Sequence, residues 1–364
     1  MTENDFVSPA GTGDLREGAV TWKSPSNIAL VKYWGKKENQ IPANPSISFT
    51  LDHCATTTTL GYAKRKEEQS GEYFSFDLLF EGKPKPEFRS KIIKFFERIE
   101  KYMPFLKDYH FSIDTSNSFP HSSGIASSAS GMSALALCLM SVEKSLNPEM
   151  SDEFFNQKAS FLARLGSGSA CRSVEGEIVV WGTNDCMLKA SDLYGIKFSY
   201  ELHPVFRNYQ DTILLVDKGQ KQVSSSVGHN LMHGHPFAER RFKQATENLS
   251  DLTTVLQAGD QKAFIAIVES EALTLHAMMM TSLPYFILMK PNTLHIINKI
   301  WQFRSETKLH LCFTLDAGAN VHLLYPENEK NEVLEFVKNE LVAYCENGQY
   351  ICDQIGLGAS LMKN

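Results

Sequence analysis

The sequence predicts an α+β protein. Three observations carry this: helical and alternating segments are both abundant, they mix without a regular βαβ rhythm, and the pattern restarts after about Tyr200. A chain of 364 residues suits two domains, read here as residues 1–205 and 206–364.

Thr21 to Lys36 reads as a strand running into a loop. Ile47 to Leu51 alternates, and the threonine-rich stretch Ala55 to Ala63 is expected to pair with it. Tyr73 to Phe80 is a further strand. Phe88 to Tyr102 places Ile92, Ile93, Phe95, Phe96 and Ile99 at helical spacing. Tyr109 to Thr115 alternates again, and a Gly/Ser-rich loop then leads into an apolar stretch, Met132 to Val142, that must be a buried helix. Phe154 to Arg164 is helical and Ile178 to Trp181 extended. In the second half, Asp211 to Val216, His310 to Leu315 and Val321 to Tyr325 read as strands. Phe237 to Ala258, Ala263 to Met280, Thr293 to Phe303 and Glu332 to Tyr344 read as helices.

Bulk properties narrow the function. With 43% hydrophobic and 21% charged residues, the chain can build a full core. A formal charge of −6 and no lysine/arginine stripe argue against a nucleic-acid partner. No uninterrupted run of about 18 apolar residues occurs, so no membrane span is expected. Met1 to Arg16 is polar and acidic, unlike a secretory signal, and reads as a frayed tail. The seven cysteines are widely spaced with no C-x-x-C, which speaks against a disulfide framework or zinc site and for a cytoplasmic setting.

Four clusters look chemical. The first, Pro120-His121-Ser122-Ser123-Gly124-Ile125-Ala126-Ser127-Ser128-Ala129-Ser130-Gly131, runs into the buried helix. Small residues let a ligand approach the backbone, and a helix start offers unpaired N–H groups to phosphate. Serine hydroxyls add donors and can help to place Mg²⁺. A flexible loop with a serine cap is the plainer alternative; neither a Walker A nor a Rossmann fingerprint is present. The second, Gly166-Ser167-Gly168-Ser169-Ala170-Cys171-Arg172-Ser173, sets an arginine beside small residues, where it would grip a carboxylate or lie solvated on a turn.

The third, Asn27-Ile28-Ala29-Leu30-Val31-Lys32-Tyr33-Trp34-Gly35-Lys36-Lys37, interrupts an apolar run with Lys32, which must then find an anion. Lys36 and Lys37 would equally serve as a solvated pair. The fourth, Phe313-Thr314-Leu315-Asp316-Ala317-Gly318-Ala319-Asn320, puts a carboxylate at a strand end, as a base or as a turn cap. Among the eleven histidines, His229, His233 and His235 read as a hydrophilic loop and His276 as a packed helix residue.

Taken together, the four clusters resemble the diphosphomevalonate decarboxylases. These belong to the superfamily of galactokinase, homoserine kinase, mevalonate kinase and phosphomevalonate kinase. The matching segments run in the family's order from about residue 20 to 325. The Lys-Tyr-Trp-Gly-Lys and Gly-Ser-Gly-Ser-Ala-x-Arg-Ser segments carry the decarboxylase branch, and the serine loop is shared more widely.

The resemblance implies an N-terminal domain like the second domain of ribosomal protein S5 and a C-terminal ferredoxin-like domain, with the site in the cleft between them. It implies ATP and Mg²⁺ as cofactors, mevalonate 5-diphosphate as substrate, and isopentenyl diphosphate as product. A homodimer is the expected assembly. Asp316 would orient or deprotonate the 3-hydroxyl, Lys32 would stabilise charge beside it, and Arg172 would grip the C1 carboxylate. Asn27, Tyr33, Lys36, Ser167, Gly168, Ser169 and Ser225 would hold the substrate. Gly124, Ile125, Ala126, Ser127, Ser128 and Ala129 would cradle ATP.

One position departs from the family. Where an arginine commonly follows the serines, this chain has Ser226, with Lys36, Lys221 and His229 as candidates to compensate. The alternatives are a decarboxylase of mevalonate 5-phosphate, a mevalonate-type kinase that does not decarboxylate, and a non-catalytic homologue.

Overall fold

The computed structural model describes residues 1–8, 15–66, 71–120, 125–219 and 225–363, apart from the side chains of Ser225 and Ser226. Its larger sheet is built around two long strands, β1 (Gly18–Val31) and β2 (Ser46–Lys64), which pair antiparallel. The two runs expected as separate strands, Ile47 to Leu51 and Ala55 to Ala63, are one strand. The first part of β2 takes β6 (Ile178–Trp181) as partner, and the second part takes β5 (Tyr109–Asn117). A strand that changes partner midway leaves no break in its own alternation, so the sequence does not mark the division.

β3 (Ser75–Phe80) lies parallel to β5, with helix α1 (Pro86–Ile99) as the crossover. β4 (Lys83–Pro84) and β7 (Ile196–Lys197) are short edge strands. Helix α2 (Ser127–Leu146) is buried along most of its length. With α1 and α3 (Asp152–Gly166) it covers one face of the sheet. The side chain of Ser151 caps α3, its oxygen accepting from Phe154 N at 3.2 Å.

The first residues of the amino terminus correct an expectation, while residues 9–14 of that stretch lie outside the described residues. Glu3–Phe6 form a short helical turn, and Phe6 is 0% exposed. Its ring stacks on Phe161 with centroids 4.4 Å apart. Burial of one aromatic side chain outweighs the polar composition around it, which is why the segment is packed rather than frayed.

The second sheet has the order β11-β8-β10-β9, all antiparallel, from β8 (Gln210–Leu214), β9 (Cys312–Leu315), β10 (Val321–Tyr325) and β11 (Tyr350–Gln354). In chain order this is the 4-1-3-2 arrangement of a ferredoxin-like sheet. Helix α4 (Ser225–Asn230) is short. The layer is completed by α5 (Ala238–Ala258), α6 (Gln261–Met280), α7 (Pro291–Thr307) and α8 (Lys330–Phe336). After α8 the chain passes through a wider turn, Val337–Leu341, so the helix expected to Tyr344 does not stay regular.

α6 is long and apolar enough to cross a membrane by length and composition. Here its apolar residues Phe264, Val268, Ala272 and Leu275 serve the core instead. One core cluster joins Ile28, Leu30 and Phe49 of the first sheet to Ile213, Leu249 and Phe264 of the second half. The last strand, β12 (Ser360–Met362), returns to pair with β1. The end of β1 therefore lies between the two sheets.

Candidate active site

Residues 26 to 33, at the end of β1, touch almost everything that the sequence marked. Ser26 Oγ donates to the Ile125 carbonyl at 2.6 Å, holding the start of α2. Asn27 Nδ2 donates to Ser173 Oγ at 2.8 Å and to the Ser169 carbonyl at 3.2 Å, fixing the turn Gly168–Ser173. Lys32 follows the buried run Ile28–Val31 inward and is 2% exposed. Its Nζ donates to the Ala29 carbonyl at 2.5 Å. Burial pulls its pKa down to about 8, against the pull of the Asp316 and Glu271 carboxylates, and Arg172 lowers it further. The ammonium is thus still charged at neutral pH but close to titration.

Tyr33 packs between Trp181, at 4.6 Å between ring centroids, and His229, at 4.2 Å. Its phenolic oxygen is buried and has no hydrogen-bond partner among the described residues. An unsatisfied buried donor is costly and marks a place prepared for a ligand. Gly168 lies directly against this ring.

Arg172 is 3% exposed. One terminal nitrogen donates to Ser46 Oγ at 2.5 Å and the other to Asn27 Oδ1 at 3.5 Å, while Nε has no partner among the described residues. The guanidinium sits over Trp181, 5.8 Å from its ring centroid. Ser167 and Ser169 are half-buried beside it.

Asp316 follows β9, half-buried. Its carbonyl accepts from Gly318 N at 2.7 Å, forming a tight turn. The neighbouring Ala319 carbonyl accepts from Thr293 Oγ1 at 2.7 Å. The Asp316 side chain is an electrostatic neighbour of Lys32, Arg172 and His229.

At the start of α2, Ala126 adopts a left-handed conformation with φ +43°, and its carbonyl accepts from Ala129 N at 2.7 Å. The first-turn N–H groups of Ser127 and Ser128 follow it, and Ala129 is buried. A largely apolar cleft opens alongside, lined by Phe80, Phe88, Ile113, Met132 and Leu135, with Thr58, Thr115 and Asn117 as polar positions. A left-handed residue ahead of a helix start, next to an apolar cleft, suits a phosphate joined to a flat base. Gly124 lies outside the described residues.

Most of the expected residues converge. Lys36 is half-buried, with its pKa lowered by burial and by the nearby Arg98. Lys37 is exposed. Ser225 opens α4, but its side chain and that of Ser226 lie outside the described residues, as does Lys221.

His229 and His235 do not lie in a hydrophilic loop; both are buried. His229 Nδ1 accepts from Gly35 N at 3.0 Å, and its ring also contacts Trp34. Burial first, then Lys36, push its pKa down to about 3, so it is neutral. Its partners are the rings of Tyr33 and Trp34 and the Gly35 N–H, the last 194 residues away in the chain, and no local pattern announces them. Arg98 was missed as well: it sits on the polar side of an amphipathic helix, where an arginine is ordinarily just solvated.

Two family descriptions match this chain. "Diphosphomevalonate decarboxylase-like N-terminal domain" spans residues 24–191, and "Mevalonate 5-diphosphate decarboxylase C-terminal domain" spans residues 212–357. A diphosphomevalonate decarboxylase of Ganoderma lucidum is 28% identical over 361 residues, covering 93% of this chain and 85% of its own. The crystal structure of a mevalonate diphosphate decarboxylase from Legionella pneumophila is 30% identical, with a TM-score of 0.76, and covers 92% of this chain and 100% of its own. A second solved structure, "MDDEF in complex with MVAPP, AMPPCP and Magnesium", has a TM-score of 0.80 at 24% identity, covering 96% of this chain and 100% of its own.

Proposed function

This chain belongs to the diphosphomevalonate decarboxylase family, and from that membership we infer that it uses ATP to convert mevalonate 5-diphosphate to isopentenyl diphosphate and CO2. The observation that carries the assignment to this site is the meeting of Lys32, Arg172 and Asp316. They come from the end of β1, a turn after α3 and the end of β9, yet they are electrostatic neighbours.

The chemistry explains the residue types. A tertiary alcohol is a poor leaving group, and phosphorylation makes it a good one. We assign Asp316 to the 3-hydroxyl, where it orients the oxygen and takes its proton as the phosphoryl group arrives. Departure of that phosphate leaves positive charge developing at C3. Breaking the C1–C2 bond then supplies the electron pair for the alkene and releases CO2. Lys32 stabilises the anionic oxygens gathered around C3. Arg172 holds the C1 carboxylate, with its unpartnered Nε as one prong. Asn27 secures Arg172. Tyr33, with its unpartnered phenol, and Lys36, Ser167, Gly168, Ser169 and Ser225 hold the remaining oxygens of the substrate.

The start of α2 and the apolar cleft beside it fit ATP: residues 124–129 receive phosphates and the cleft receives the base. Mg²⁺ arrives with those phosphates, and Ser127 or Ser128 can offer it a hydroxyl. The described residues present no cluster of three acidic, histidine or cysteine ligands, so the serine hydroxyls at the start of α2 are the groups of this chain that would hold the ion, which would supply charge neutralisation on the phosphates. The magnesium, AMPPCP and MVAPP carried by the solved neighbour are the same classes of ligand.

The test supplies mevalonate, its 5-phosphate and its 5-diphosphate separately with ATP and Mg²⁺, and measures ADP and CO2. The diphosphate should yield both in equal amounts. ADP without CO2 would identify a kinase, and preference for the monophosphate would move the substrate assignment.

A further inference from the structure

Lys32 and Asp316 reach the site from different sheets, yet one helix grips both. From α6, Glu271 Oε2 accepts the Lys32 backbone N–H at 2.8 Å. Five residues on, His276 Nε2 donates to the Asp316 carbonyl at 3.2 Å. Five residues advance an α-helix by about 7.5 Å. A rigid rod therefore spans the two holds.

Glu271 is itself locked. Arg241 of α5 donates Nη1 to Oε1 at 2.8 Å and Nη2 to Oε2 at 2.6 Å, and Asn248 Nδ2 donates to Oε1 at 2.6 Å. Arg241 Nη2 also reaches the Lys32 carbonyl at 3.2 Å, which Asn44 Nδ2 meets at 2.9 Å. Both side chains of the Arg241–Glu271 pair are fully buried. A buried ion pair seldom stabilises a protein more than well-packed apolar residues would. Here the pair is turned on the backbone of one lysine, donating to its carbonyl and accepting from its N–H.

We propose that α6 sets the spacing between Lys32 and Asp316, with Glu271 the positioning residue for Lys32 and His276 the positioning residue for Asp316. The proposal rests on the roles given above to those two residues. Around the Lys32 ammonium stand the carboxylates of Asp316, Glu271 and Asp211, opposed by Arg172, with Arg241 on its carbonyl; His276, its pKa pushed down to about 4 chiefly by burial, is neutral beside it. Glu271 thus also helps to keep Lys32 charged.

The test combines a titration with kinetics. Enzyme carrying ¹³Cε-lysine is titrated by NMR, the Lys32 signal being assigned with Lys32→Arg. Glu271→Gln keeps an acceptor oxygen but loses the charge, and should lower the Lys32 midpoint by about one pH unit. It should also cut kcat roughly tenfold to a hundredfold, with KM for mevalonate 5-diphosphate within about threefold. Should the orphaned Arg241 unfold that variant, Arg241→Met/Glu271→Gln removes both charges of the pair, whose effects on the midpoint oppose each other; there the same loss of kcat at unchanged KM is the readout, and a wild-type kcat overturns the proposal. His276→Leu should cut kcat by a similar factor, and His276→Gln, which keeps a donor, should recover most of the loss. A Lys32 midpoint that moves by less than about 0.3 unit overturns the proposal; so does a His276→Leu variant as fast as His276→Gln. If the wild type releases no CO2, the functional reading fails, and the titration still decides the clamp.

Discussion

The phenol of Tyr33 lies directly against Gly168. A Cβ at position 168 would stand 2.8 Å from the phenolic oxygen and 2.9 Å from the ring. Tyr33 cannot yield easily, because Trp181 and His229 confine it. The glycine therefore sets where the phenol points.

Gly168→Ala should raise KM for mevalonate 5-diphosphate about tenfold, the worth of one hydrogen bond to a charged group. The melting temperature should fall as well, since the clash falls on a ring that Trp181 and His229 confine. Steady-state kinetics with ATP saturating checks this. An unchanged KM would mean that Tyr33 does not meet the substrate.

Much of the fold was legible because burial follows period. Ile178–Trp181 and Val321–Tyr325 are strands at the bounds that alternation and apolar runs suggest. What stayed hidden depended on distant partners. Tyr350–Gln354 and Ser360–Met362 are strands only because β8 and β1 offer free edges to them. In the site, Lys32 and Asp316 stood out because each breaks an apolar run. His229 did not, since its burial comes from Tyr33 and Trp34. Glu271 and His276 look like ordinary members of a core helix until the fold sets them against Lys32 and Asp316.

Asp316→Asn should nearly abolish turnover while ATP binding persists. Loss of a positioned base costs about 10²- to 10⁴-fold, and the nucleotide is assigned to the start of α2 instead. A rate above roughly a third of wild type would remove Asp316 from the chemistry.

Lys32→Met should stabilise the fold and destroy the enzyme. The folded pKa of about 8 lies below the ordinary 10.5, so the folded state holds the proton less tightly. Below pH 8 the buried charge costs on the order of 3 kcal/mol. Between about 8 and 10.5 the unfolded chain binds more protons, so wild-type stability rises with pH there. The advantage of Met should therefore be largest below pH 8 and fade by about 10.5. Urea unfolding at several pH values reads this directly. In the wild type, kcat/KM should fall above about pH 8 as Lys32 of the free enzyme loses its proton.

Phe6→Ala tests the reassigned amino terminus. Removing a fully buried phenylalanine costs about 3–5 kcal/mol, here from the contact with Phe161 and the edge-on contact with Tyr194. KM values should hold, because Phe6 packs on Phe154 and Phe161 of α3 rather than on the residues at the end of β1. A truly frayed tail would show no loss in denaturant unfolding.

Arg172→Lys separates charge from shape. Lysine keeps the positive charge, but a single ammonium cannot hold Ser46 and Asn27 and also present Nε to a carboxylate. If charge alone mattered, the variant would work. We expect kcat/KM to fall about a hundredfold, roughly the worth of a two-pronged charged contact. Ser46→Ala removes one anchor and leaves the guanidinium in place, so its effect should be of the same kind but smaller. Equal losses in the two variants would show that the anchored orientation, rather than the contact to the carboxylate, is what Arg172 supplies.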